Sequence, residues 1–197
     1  MLETFRFSRE DKKFILPPWG INLVEISSIV LNTSKNTGWQ KIQIDFEMPV
    51  IEVKEKFCYE INVPSMHLII DINAEKLIGS KGVPIGVEKI ALFSWKCFGI
   101  KLKRTADPYN GLLEQVKEYE HKSVLLFIKH KLVLSKKNGL AEYNDNGTPL
   151  IRTEAEIADF ASVNDEEFKK TDNGLPYIID LTPQDKLLIQ KSAKWKK

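Results

Sequence analysis

The residues of this chain whose types and spacing could do chemistry are lysines, arginines and aromatic side chains, and the chemistry is non-covalent. Between His121 and Gly139 lie Lys122, Lys129, Lys131, Lys136 and Lys137 without one acid. Between Trp95 and Ala106 lie Lys96, Lys101, Lys103 and Arg104, again without an acid. Toward the end, Lys186, Lys191, Lys194, Lys196 and Lys197 stand against Asp185. Such runs attract a phosphate backbone because binding releases its condensed counterions. Trp39 at the first hairpin, Phe127 between the lysines and Tyr143 on the return are the aromatic candidates, and a ring left exposed can stack on an unpaired base for about 1–3 kcal/mol. The plainer alternative is that Phe127 packs in the core and the lysines keep a sheet edge soluble. Acids gather between Glu142 and Asp172, so a chain of net charge +2 carries segregated charge.

Covalent and metal chemistry find less support. The chain has no GxxxxGK[ST] phosphate cradle, no GxGxxG after a strand, no GxSxG elbow and no HExxH. Gly79-Ser80-Lys81-Gly82 is a glycine-containing loop of a common kind. Glu154 and Glu156 are spaced to share a strand face and could hold a metal, but a solvated charged face explains them equally well. His121 and His130 fall at opposite ends of one expected strand. Cys58 and Cys97 lie in no CxxC or Cys/His cluster, which fits free thiols in a reducing compartment. Neither enzyme activity nor a cofactor is expected.

The elements that must position these residues are mostly strands. Ile21–Leu31 is rich in β-branched residues. After the turn formers 32–38, Ile42, Ile44, Phe46 and Met48 alternate with Lys41, Gln43, Asp45 and Glu47, the period of a half-buried strand. The two form a β-hairpin with a polar tip. Phe57–Val63 and Met66–Ile72 are further strands, and Ser80–Gly86, with Gly82, Pro84 and Gly86, is a loop. In Val87–Phe98 the residues Val87, Ile90, Ala91, Trp95 and Phe98 recur at helical spacing on what should be the core face, and Gly99 follows as a stop. Pro108–Tyr119 is a second helix, joined to the first by the basic loop Lys101–Pro108. Lys122–Leu134 is the strongest strand, followed by a basic turn at Ser135–Gly139 and a return from Leu140 to Tyr143. Arg152–Ala161 is taken as its partner strand, Val163–Gly174 as a linker, and Thr182, Pro183 and Asp185 as the start of a short helix.

The class is therefore mainly β with inserted helices (α+β), and short, evenly spaced strands suit a small antiparallel barrel. The 197 residues divide into a domain over 1–162 and a linker with a short helix over 163–197. With 43% hydrophobic and 28% charged residues the chain is neither low-complexity nor wholly disordered. No apolar run approaches the roughly 20 residues of a membrane span. No membrane association is expected, and the cytoplasm is the expected location.

Four pieces together resemble a family of bacteriophage single-stranded-DNA-binding proteins built on an OB-fold. They are Leu16-Pro17-Pro18-Trp19-Gly20 with the strand after it, the stretch Thr33-Ser34-Lys35-Asn36-Thr37-Gly38-Trp39-Gln40 leading into Lys41–Glu47, the helix end Trp95–Ile100, and the strand Lys122–Lys131 with its turn and return. The resemblance spans roughly residues 15 to 160, with gaps. It implies a five-stranded barrel that protects single strands during phage replication or recombination in the host cytoplasm. It carries over Trp39, Lys41 and the basic hairpin Lys129–Lys137 as contacts.

The expected interface is then Trp39, Lys41, Lys101, Lys103, Arg104, Phe127, Lys129, Lys131, Lys136, Lys137 and Tyr143, with single-stranded DNA as partner. A second copy of the chain and replication or recombination proteins are further candidate partners. The competing function is a phage protein-interaction or assembly module that binds no nucleic acid, suggested by the strand-rich stretch Glu52–Gly86 and the acidic segment. A metal-dependent nuclease using Glu154 and Glu156 is the third alternative.

Overall fold

A computed structural model describes residues 12–17, 19–48, 53–54, 57–79, 81–137 and 140–170; the side chains of 12–15, 53–54 and 57–60 are outside that description. The strands are β1 (Lys12–Ile15), β2 (Gly20–Thr33), β3 (Gln40–Glu47), β4 (Val53–Lys54), β5 (Phe57–Ile61) and β6 (Met66–Ile69), then β7 (Ser123–Leu134), β8 (Lys136–Lys137), β9 (Leu140–Ala141) and β10 (Ile151–Ala161). The helices α1 (Ile85–Phe98) and α2 (Asn110–Lys117) fall between β6 and β7, and α3 (Glu166–Lys170) follows β10.

Five strands form one antiparallel sheet in the order β10-β7-β2-β3-β6. The long strand β2 organises it. Its first part, Gly20–Glu25, pairs with β7, and its second part, Glu25–Thr33, pairs with β3. A register shift between Ile26 and Ser28 marks the change of partner, and such a bulge sharpens local twist. A three-stranded sheet β1-β5-β4 stands apart, with β1 and β5 parallel, and β8 and β9 form a small hairpin.

The alternation in β3 does what the sequence asks of it: Ile42 and Ile44 are fully buried and Phe46 nearly so. In β7 the residues Val124, Leu126 and Ile128 join Val24, Ile26 and Ile29 of β2 in the same core. Arg152–Ala161, taken in the sequence as the partner strand, lies in β10 and pairs with β7.

The mainly β, α+β class holds, and four finer expectations meet a difference. First, among the described ladders the five-stranded sheet is not closed, with β6 and β10 as its two edges. The helix α1 packs on both edges and covers the core that a closing ladder would seal. Second, α1 starts at Ile85, so Gly86, taken for loop, is helical. A Cβ there would collide with the Ile69 backbone, and only glycine lets α1 approach β6 so closely. Third, the inward stripe of α1 is Gly86, Ile90, Phe93, Ser94 and Cys97. Its small residues let the helix settle on the sheet, and this turns Trp95 outward at 54% exposure. Fourth, part of the expected linker is the helix α3, where Asp165 accepts the Phe168 N–H at 2.9 Å as a cap. Residues 171–174 of the linker and the helix expected from Thr182 lie outside the described residues.

Candidate nucleic-acid interface

The expected contact residues fall into three separate groups. The first is the β2–β3 turn. Trp39 is half-buried, its carbonyl accepting the Ser34 N–H at 2.8 Å, and Lys41 begins the outward face of β3. That face soon turns acidic at Asp45. Burial pushes the Asp45 carboxyl up, but hydrogen bonds donated by Ser65, Gln43 and Ser28, with His67 nearby, outweigh it and hold the group below its usual range. A stable anion in the middle of β3 limits how far a phosphate backbone can follow Lys41.

The second group lies at the other end of the sheet. Among the described residues, β7 past Ile128, level with Gly20, pairs with β10 alone, and the pair continues as a two-stranded arm. Measured along β2 at ~3.3 Å per residue, about 40 Å of strand separates this arm from the β2–β3 turn. The arm carries Lys129, Lys131, Lys136 and Lys137, with Tyr143 exposed beyond it. Its base is held where Trp19 packs edge-on against Phe127 and His130, with centroids 6.1 and 6.2 Å away. Phe127 is half-buried and has the Lys129 ammonium 5.9 Å from its ring centre.

This basic run is acid-free only along the chain. The register sets Glu154 opposite Lys131 and Glu156 opposite Lys129. Lys131 Nζ donates to Glu156 Oε2 at 2.7 Å, and Arg152 pairs with Glu154. From 129 to 156 the arm holds five cations and four acids. The same pairs occupy Glu154 and Glu156, the two carboxylates weighed as a metal site, and among the described residues no group of three side chains suits a metal ion.

The third group is the connection between α1 and α2. Gly99 ends α1 in the left-handed region at φ 69°, and the chain then exposes Lys101, Lys103 and Arg104. None of the three makes an ion pair among the described residues. Lys101 Nζ sits 5.6 Å from the centre of the Trp95 ring. The loop is fixed from α2. Gln115 Oε1 accepts the Lys103 N–H at 2.7 Å, and Gln115 Nε2 donates to the Lys103 carbonyl at 3.0 Å. Asp107 caps α2 by accepting the N–H groups of Tyr109 and Asn110, each at 2.9 Å. The Asn110 side chain and these two N–H groups hold its carboxyl below the usual range.

Between α1, α2 and this loop lies a cleft of about 370 Å³ lined by Val87, Ala91, Leu102, Lys103 and Arg104 among others. Trp95 stands one helical turn beyond Ala91, so the cleft, the ring and the cations form one continuous surface. Sequence reasoning named the cations and missed Trp95, placing it inward; the usable signal was its position at the start of an acid-free run.

Two lesser expectations are also located. Cys97 is 6% exposed, and burial, against the opposing pull of Lys96, pushes its thiol up to about 12. At Gly79 the Glu88 carboxylate fills the space a side chain would take, which places a negative group where a phosphate cradle would need donors. Among the described residues no helix is long and apolar enough to cross a membrane. The chain matches no protein-family model, no curated protein and no solved structure.

Proposed function

We propose that the protein binds single-stranded DNA with little sequence preference, in phage replication or recombination, and that the α1–α2 connection is the centre of its interface. The observation that carries this reading is the exposed trio Lys101, Lys103 and Arg104, without an ion pair among the described residues and with Lys101 over exposed Trp95. Unpaired cations displace counterions from a backbone at little cost to the protein, whereas Lys131 would first have to leave Glu156. Trp95 supplies a face for one base. Lys41 and Trp39 at one end, and the arm at the other, extend the path of the strand.

The chain order of the sheet supports an OB-like reading. A long bulged strand is shared by two halves, with a three-stranded meander β2-β3-β6, helices inserted next, and the pair β7-β10 returning to the first strand. Titrating labelled oligothymidine, with duplex of equal length as comparison, tests the function. Tighter binding to the single strand, weakening steeply with salt, is expected; equal or absent binding rejects it.

A second reading, a protein-interaction module, is favoured by one observation. Leu140, Tyr143, Leu150 and Ile151 are exposed together near the far end of the arm, Leu140 at 74%.

A further inference from the structure

The cleft between α1 and α2 has chemistry that a DNA strand does not require. Its walls are aliphatic, with Ile70, Val87, Ala91, Leu102 and Leu112 among them, and Ile72 at its edge is 64% exposed. Apart from Lys103 and Arg104, the polar side chains at the cleft are already engaged, Tyr109 donating to Asp71. The Thr105 hydroxyl donates to the Asp107 carbonyl. Asp71 accepts the N–H groups of Gln40 and Asn73, and Asp107 is occupied in capping α2. A nucleobase edge seated between the aliphatic walls would lose hydrogen bonds to water, with donors from Lys103 and Arg104 as the replacement and no free side-chain acceptor for its amino groups among the described lining residues. An aliphatic chain loses none, and gains by leaving water. The same cleft is lined by Lys103 and Arg104, exposed and without an ion pair among the described residues. An apolar interior with cations at the mouth and no competing carboxylate free to bind them selects an amphipathic anion, and about 370 Å³ lies in the size range of small-molecule sites.

We propose that this cleft is a binding site for an amphipathic carboxylate, its aliphatic chain seated between α1 and α2 and its carboxylate held by Lys103 and Arg104. The carboxylate accepts hydrogen bonds from the ammonium and the guanidinium, the latter in its forked geometry. The site shares these two cations with the proposed DNA interface, but its apolar part is separate, so the two ideas can fail independently.

The test uses the full chain, with decanoate and uncharged decanol as probes and displacement of a fluorescent anilinonaphthalene sulfonate as readout. The expected result is decanoate binding tighter than about 1 mM and about tenfold tighter than decanol. Ala91→Phe, an exposed residue that would fill the cleft, should weaken both probes at least about tenfold. Lys103→Gln with Arg104→Gln should remove the preference for decanoate and leave decanol unaffected. No displacement by decanoate, equal binding of decanol, or indifference to Ala91→Phe each overturns the proposal. Loss of oligothymidine binding in the double glutamine variant, with probe binding intact, would overturn it in favour of a site used by DNA alone.

Discussion

Lys131 and Glu156 meet across β7 and β10, Nζ to Oε2 at 2.7 Å, although 25 positions separate them in the chain. The contact changes the meaning of the basic run around it. Charge counted along a sequence says nothing of the strand folded beside it, and here that strand carries the acids. Among the described residues Lys101, Lys103 and Arg104 of the α1–α2 connection make no ion pair, so in the proposed reading they face a polyanion without first leaving a carboxylate.

Trp95 provides the stacking contact in this account. Trp95→Ala removes a half-exposed ring from a helix surface, so stability should change by no more than about 0.5 kcal/mol. Affinity for oligothymidine should fall by about 1–3 kcal/mol. Thermal melting and anisotropy titration of the same preparation check both, and unchanged affinity removes Trp95 from the interface.

Gln115 positions the loop without carrying charge. Its amide both accepts from and donates to the backbone of Lys103. Gln115→Ala should cost about 1 kcal/mol of stability and weaken oligothymidine binding, while the salt slope, set by the number of cations, stays as it is. A changed slope with this variant would mean that Gln115 does more than hold the loop.

Asp71 gives the fold an acid limit. The backbone N–H groups of Gln40 and Asn73 donate to its carboxylate at 3.0 and 2.9 Å. These bonds, the Gln40 one foremost, hold its carboxyl below the ordinary 3.8. A carboxyl depressed by folding stabilises the native state above its unfolded pKa, and that contribution is lost as pH falls through the folded value. Asp45 is also depressed and acts in the same direction. Stability measured by urea unfolding should therefore be level from pH 7 to about 5 and decline from about 4 downward. Asp71→Asn should cost about 2 kcal/mol at pH 7 and flatten the decline; an unchanged decline assigns the acid limit to other groups.

Cys97 should be inert. With its thiol pushed up to about 12 and 6% exposed, it presents almost no thiolate at pH 8. Iodoacetamide should leave Cys97 unlabelled in the native protein and label it in guanidinium, as read by peptide mass. Native labelling would mean that α1 separates from the sheet on the timescale of the reaction.

What the sequence makes visible is what is local. Alternation from Lys41 to Glu47 places Ile42, Ile44 and Phe46 inward because strand side chains alternate whatever lies beyond them. The α1–α2 pair, the Gly99 stop and the turns around β3 and β7 are local in the same sense. Trp95 defeats this kind of inference. A period built on apolar size puts tryptophan inward, but the helix turns Gly86, Ser94 and Cys97 to the sheet. Pairing between distant segments is equally hidden, whether Lys131 with Glu156 or the packing of α1 on both β6 and β10 in place of a closing ladder.

The most direct test of the account compares two sets of neutral variants by the salt dependence of oligothymidine binding. One replaces Lys101, Lys103 and Arg104 with Gln; the other replaces Lys129, Lys131, Lys136 and Lys137 with Gln. For single strands each phosphate contact contributes about 0.7 to the slope of log affinity against log salt. The loop variant should lose about 2 units of slope and at least about tenfold in affinity at low salt, and the arm variant less than the loop variant. A loop variant that keeps the wild-type slope while the arm variant loses it would contradict the account, placing the interface on the β7–β10 arm.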